Sequence, residues 1–225
     1  MKRKVWPFVF FFLPVLVFPQ EVLRGAIVVD LEPIYGFVVD EEYPLSADAA
    51  YRRVLEEAAL FFSAQIYGWS FHYDIGERAR DIDEELALEP EGEIRWGDPA
   101  LRVTHASFLE NKLEAWIDYR PRESQLNRLR AWRASQNRTA QGTGFCDPGT
   151  PEASAWFDIR KTALEDAARA ALREILRGSE RNRPKQAHGY ISLQTFPRYF
   201  VSGGRWVCSA RFLVDIQEIV PFAVY

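Results

Sequence analysis

Side chains able to do chemistry are few and scattered in this chain. Histidine occurs three times, at His72, His105 and His188. No two stand at the i, i+4 spacing that lets a pair share a metal on one helix face, and H-E-x-x-H is absent. His72 and His105 fall inside strand-like runs, and His188 precedes Gly189 at a strand start. Each therefore reads as an ordinary surface or half-buried histidine. The two cysteines are Cys146 and Cys208. In an oxidising compartment an isolated pair most often forms one disulfide, and that pairing is the expectation here. The alternative is a buried Cys208 in the strand-like run Arg205 to Phe212, with Cys146 idle in a loop. Neither cysteine has a second Cys or His at zinc-ligand spacing, so no metal and no cofactor are expected.

The acidic run Asp81-Ile82-Asp83-Glu84-Glu85 invites a calcium reading. It lacks the glycine and the bidentate glutamate that a calcium loop of that class places at fixed positions, so a solvated face is the reading. Cleavage of glycans needs two particular carboxylates flanking a cleft. With 32 acids and no motif, no pair can be nominated. Serine-nucleophile, phosphate-loop and dinucleotide fingerprints are absent. Gly142-Thr143-Gly144-Phe145-Cys146 is glycine-rich but does not link a strand to a helix with phosphate-cradling spacing. A nucleophilic Cys146 would need a neighbouring base and an exposed thiolate. No catalytic residue is expected.

Arginine is the exception to this sparseness. Arg120, Arg122, Arg128, Arg130, Arg133 and Arg138 cluster around Trp132. On a helix, Leu126, Leu129 and Trp132 or Arg133 share one side and leave the arginines around the rim. Arg128, Arg130, Trp132 and Arg133 are accordingly the candidates for contact with an anionic partner: lipid headgroups, a wall polymer or an acidic protein. The competing reading is a solvated face that balances acidic neighbours of the same chain. Asn137-Arg138-Thr139 matches a glycosylation sequon, incidental in a bacterial protein.

The elements that would position these groups begin after residue 20. Lys2, Arg3 and Lys4 precede an unbroken apolar run, Val5 to Phe18, the pattern of a secretory signal peptide over residues 1–20. The run falls short of the roughly 20 residues that span a bilayer. No pair of small residues marks a cleavage site, so an uncleaved anchor stays open. The formal net charge is −4, and the chain without Lys2, Arg3 and Lys4 is more acidic by three. That balance disfavours nucleic acid as a partner. No transmembrane span is expected in the mature form unless the signal stays attached.

Ala26 to Asp30 and Tyr35 to Val39 read as extended. Ser46 then caps a helix whose buried face is Ala50, Val54, Ala58, Phe61 and Phe62, ending near Gly68. Tyr67 to Tyr73 reads as a strand, Glu77 to Glu91 as a surface excursion or short helix, and Glu93 to Trp96 as a strand before the turn Trp96-Gly97-Asp98-Pro99. Leu101, Val103 and His105 alternate, as do Leu113, Ala115, Ile117 and Tyr119, the pattern of half-buried strands. A basic helix runs from Glu123 through Ala134, and 135–150 reads as a loop or linker. Thr150-Pro151-Glu152 opens a long helix with the stripe Ala163, Leu164, Ala167, Ala171, Ile175 and Leu176, stopped by Gly178. Tyr190 to Phe200 and Arg205 to Val220 flank Ser202-Gly203-Gly204 as a hairpin.

This order predicts an α+β fold: antiparallel sheet or sheets with two long amphipathic helices on one face. It suggests two related helix-then-meander units, 21–134 and 151–225, that can also form one domain. Helices occupy too much of the chain for a membrane barrel, and the last strand lacks a sustained apolar face.

The apolar leader, Ile66-Tyr67-Gly68-Trp69 after a helix, Gly97-Asp98-Pro99 and the ending Val220-Pro221-Phe222-Ala223-Val224-Tyr225 together resemble uncharacterised exported proteins of spirochaetes, over most of the chain. The Ala-rich helix 151–177 and its hairpin look like small envelope domains of bacterial lipoproteins and flagellar outer-ring accessory proteins. The lipid-attachment cysteine of lipoproteins is missing here. These resemblances imply a periplasmic or envelope-associated protein that acts by binding or assembly, with an envelope protein or anionic envelope surface as partner. An envelope enzyme such as a cell-wall hydrolase and a periplasmic small-ligand binder are the alternatives.

Overall fold

A computed structural model describes residues 21–32, 43–74, 76, 83–134, 137–147, 156–179 and 184–221. The signal segment, Tyr35 to Val39, and the expected helix start at Thr150-Pro151-Glu152 lie outside them.

Helix α1, Ala47–Ile66, begins as its sequence dictates: the Ser46 hydroxyl accepts a bond from the Ala49 N–H at 3.2 Å, and Asp48 sits at the positive end of the helix dipole. It ends at Tyr67 because Gly68 takes φ +68, which closes the last turn. Its face Ala50, Val54, Ala58, Phe61 and Phe62 is buried as expected. α1 packs on a three-stranded antiparallel sheet ordered β1-β5-β4: Leu23–Asp30, Lys112–Tyr119 and Leu101–Leu109. Alternation in β5 turns Leu113, Ala115, Ile117 and Tyr119 inward against it.

The second sheet is larger and draws strands from both halves of the chain. It runs β3-β2-β7-β9-β6, with β8 also on β9. Its members are Trp69–Asp74 (β2), Glu85–Pro90 (β3), Arg138–Cys146 (β6), Pro184–Leu193 (β7), Arg198–Ser202 (β8) and Arg205–Pro221 (β9). All pairings are antiparallel, which makes the fold α+β, with two sheets and three helices among the described residues. β7 and β8 both lie along β9, separated by residues 194–197. In that break Phe196 projects against Phe61 and Phe62, with ring centroids 5.1 and 4.8 Å apart. Gly25 of β1 leaves space for it, since a Cβ there would meet the Phe196 ring at 2.0 Å. One aromatic ring thus joins a break in the large sheet to α1 and the small sheet.

Three local expectations are corrected. Residues 138–146, read as part of a linker, form β6 and pair with β9 along nine residues. The inward positions Ala140, Gly142, Gly144 and Cys146 are all small, so the strand carries no bulky apolar alternation to announce it. Glu85–Pro90, read as surface excursion, forms β3 against β2, while Glu93 to Trp96 is irregular. α3, Trp156–Ser179, buries the expected stripe and lies almost on the backbone of β6. A Cβ at Gly144 would stand 2.1 Å from the Ala167 nitrogen and 2.3 Å from the Ala163 oxygen.

That approach yields a test. Gly144→Ala forces backbone against backbone and should lower stability by about 2–3 kcal/mol, measured by urea denaturation. Gln141→Ala, on the exposed face of the same strand, should change it by less than about 0.5 kcal/mol. Equal effects would disprove the close packing.

Candidate functional site

α2, Glu123–Ala134, is held in place by one buried polar side chain and two leucines. Gln125 donates from Nε2 to the Tyr67 hydroxyl at 2.8 Å and accepts at Oε1 from the Arg122 N–H at 2.8 Å. Leu126 and Leu129 are buried below it. This anchoring sets the last turn of α2 beside the large sheet and opens a cleft of about 390 Å³ between them. Its floor is one row across three strands, Thr139 of β6, Leu213 of β9 and Ser192 of β7, brought together by their register. Its walls come from Trp132 and Arg133, from Gln65 at the end of α1, and from Gln194. Asn137 closes one end, its Nδ2 donating to the Trp132 carbonyl at 2.9 Å. Three amides, two hydroxyls and four leucines thus surround an indole, and Arg133 is the only ionisable group among the lining residues.

The arginine candidates divide. Trp132 and Arg133 line the cleft; Arg128 and Arg130 do not. The Arg128 guanidinium lies 5.4 Å over the Tyr67 ring, and Arg130 donates to Glu123 at 3.1 Å and Asn127 at 3.0 Å. Arg133 pairs with Glu21 at 2.7 Å. These are exposed contacts of the kind that hold weakly and yield to a competing anion. Sequence reasoning found two cleft residues through the helix periodicity. It missed Thr139, Ser192 and Gln194, which face the cleft only because β6, β7 and β9 are neighbours.

The structure joins the two cysteines by no bridge, and both are buried. The register sets Cys146 opposite Trp206 and Cys208 opposite Gly144, so the two are diagonal across β6 and β9. Diagonal positions are about 7–8 Å apart, at or beyond the span a disulfide tolerates. Burial pushes the Cys208 thiol up to about 12, which removes it as a nucleophile. The calcium reading also has another answer in part: Glu84 takes a bidentate bond from Arg173, whose Nε stands 2.7 and 2.8 Å from the two oxygens. Among the described residues no group of three or more His, Cys, Asp and Glu side chains is gathered to enclose a metal ion.

Two features were not foreseen. His72 and His188 face each other across β2 and β7, their Nδ1 atoms 3.0 Å apart. They are 116 residues apart in sequence, and no local pattern announces their pairing. The second is a buried charged group between α1 and α3. Glu57 and Arg160 approach to 3.4 Å with their side chains 2% and 6% exposed. Arg160 lies over the rings of Tyr199, Trp206 and Trp156 at 4.3, 4.5 and 4.9 Å, and Arg53 also lies over Trp156, at 4.7 Å. Burial and the Arg160 charge lower the Arg53 guanidinium to about 10, so it stays charged at neutral pH.

Burial pushes the Glu57 carboxyl up to about 7, against the pull of Arg160 and Arg53. The folded protein therefore holds this proton to higher pH than the unfolded chain does. The associated stability is present below the ordinary value of 4.5 and is lost as pH rises toward 7. Relative to Glu57→Gln, the wild type should lose up to about 3 kcal/mol between roughly pH 5 and pH 8, read by urea denaturation across that range. A pH-independent difference would refute the assignment.

Comparison with known proteins adds ancestry. A Treponema pallidum (strain Nichols) protein, described as an uncharacterized protein, is 25% identical over 199 residues, covering 86% of this chain and 82% of its own length. No solved structure matches the chain. A protein-family model matches residues 18–222, which takes in every strand and helix described above, and the chain belongs to that family.

Proposed function

We propose that this is an exported, envelope-associated binding protein that takes a carboxylate-bearing wall fragment into the cleft beside α2. The observation that carries the proposal is the cleft's composition. An indole, several amides and hydroxyls and one guanidinium can stack on, hydrogen-bond and orient a sugar- or peptide-rich ligand. The volume is that of a small-ligand site. Arg133, held by an exposed bond to Glu21, can exchange that partner for a ligand carboxylate at little cost. None of the lining residues is a carboxylate, histidine or cysteine, so the cleft holds ligands rather than passing protons. The resemblance to small envelope domains of lipoproteins and flagellar accessory proteins fits this reading. So do Lys2–Lys4 and the apolar run Val5–Phe18, which supply the route to the compartment. The described helices include none long and apolar enough to cross a membrane.

The full chain, expressed with its own leader, should be recovered from the periplasmic and envelope fractions. The purified protein should bind soluble muropeptides with a change in tryptophan emission. Trp132→Ala combined with Arg133→Glu should weaken that binding at least tenfold, about 1.4 kcal/mol, and added salt should weaken it in the wild type. Cytoplasmic retention, binding indifferent to the double substitution, or release of cleaved wall products would overturn the proposal.

A further inference from the structure

The His72–His188 pair lies on the face of the large sheet away from α3. Alternation in β2 turns Trp69, Phe71 and Tyr73 into the core and leaves His72 and Asp74 on the other side. In β7 it turns Ala187, Ile191 and Leu193 inward and leaves Gln186 and His188 outward. Across the sheet His72 is opposite His188, and His188 is opposite Glu218 of β9. His72, His188 and Glu218 therefore form one transverse row. Beside it runs a second row of Glu85, Asp74 and Gln186, in which Gln186 Nε2 donates to the Asp74 carboxylate at 3.0 Å. The Gly76 N–H also donates to that carboxylate at 3.1 Å, which fixes it beside the histidines.

We propose that His72 and His188 chelate one divalent transition-metal ion through their two Nδ1 atoms, with Glu218 as a third ligand. Two nitrogens each about 2.0–2.1 Å from a zinc ion stand roughly 2.9–3.4 Å apart between a right-angled and a tetrahedral arrangement. The observed 3.0 Å falls in that range. A direct Nδ1–H···Nδ1 hydrogen bond satisfies the same distance, but it favours near-linear geometry. Rings bonded head-on would stand well beyond the observed 4.3 Å between centroids, because each nitrogen would lie on the line joining them. The rings are instead inclined at 48° with their nitrogens turned off that line. Both imidazoles come from strand interiors whose positions the ladder fixes, so the pair is preorganised. Glu218 is exposed and completes the set by turning along its row. Imidazole and carboxylate together suit zinc, copper or nickel rather than calcium or magnesium.

The test uses the tag-free full chain, stripped with chelator and titrated calorimetrically with Zn²⁺ and then spectroscopically with Co²⁺. One equivalent of Zn²⁺ should bind. His72→Gln and His188→Gln should each weaken it about 100-fold or more, and Glu218→Gln about tenfold or more, since loss of even an outer-shell partner costs a metal site about 10- to 100-fold. Co²⁺ should give a d–d spectrum without thiolate charge transfer. The exposed Glu218 variant keeps the test informative if a strand substitution disturbs folding. Absence of binding, binding unchanged in Glu218→Gln and both histidine variants, or a thiolate band that places the ion at the cysteines would each overturn the proposal.

Discussion

Arg160 and Glu57 meet 3.4 Å apart inside the protein, and much of the architecture depends on that meeting because α3 covers the large sheet while α1 packs on the small sheet and on β7 of the large one. Taking both charges out of water is expensive, and their attraction offsets it only in part. Glu57 Oε1 and Arg160 Nε have no hydrogen-bond partner among the described residues, so the contact is Coulombic rather than a formed bond. The balance is supplied by surroundings that solvate the guanidiniums without water: the faces of Trp156, Tyr199 and Trp206. Burial raises the carboxyl because this solvation serves cations and leaves the anion poorly served. Such a pair adds little net stability, yet removing one member strands the other. It therefore specifies how the helices sit more than how tightly they hold.

The rest of the seam follows. With α1 set against α3, Phe196 reaches Phe61 and Phe62 from the break between β7 and β8, and Gly25 admits its ring from β1. On the far side, the small residues of β6 let α3 come nearly to backbone contact. The inner face of the large sheet is consumed by stability. Its outer face carries the cleft floor at Ser192 and the histidine row at His188, both on one strand.

How far the sequence exposes this depends on whether a feature is local. The Ser46 cap, the apolar stripe of α1, the alternation in β4 and β5 and the glycine turn before β9 are written in adjacent residues, and the structure has them. β6 escaped because helix proximity demands Ala140, Gly142 and Gly144 where an isolated strand would show Val or Ile. Its alternation of small with Gln141, Thr143 and Phe145 was the available signal. β3 was masked by acidic residues around Leu86 and Leu88. Of the cleft, Trp132 and Arg133 were legible from helix spacing, while Thr139, Ser192 and Gln194 depend on strand neighbours far apart in the chain. The same distance hid His72 from His188, and it hid the diagonal register that separates Cys146 from Cys208.

The claim that Glu57 and Arg160 act as one unit is tested most directly by a double-mutant cycle at about pH 8, where the carboxyl is charged. Glu57→Gln, Arg160→Met and the combined variant would be compared with wild type by urea denaturation. The account predicts that the single losses sum to more than the double loss, with a coupling above about 1 kcal/mol. Losses that add within about 0.5 kcal/mol would show that the two residues sit side by side without fixing the helices, and would contradict it.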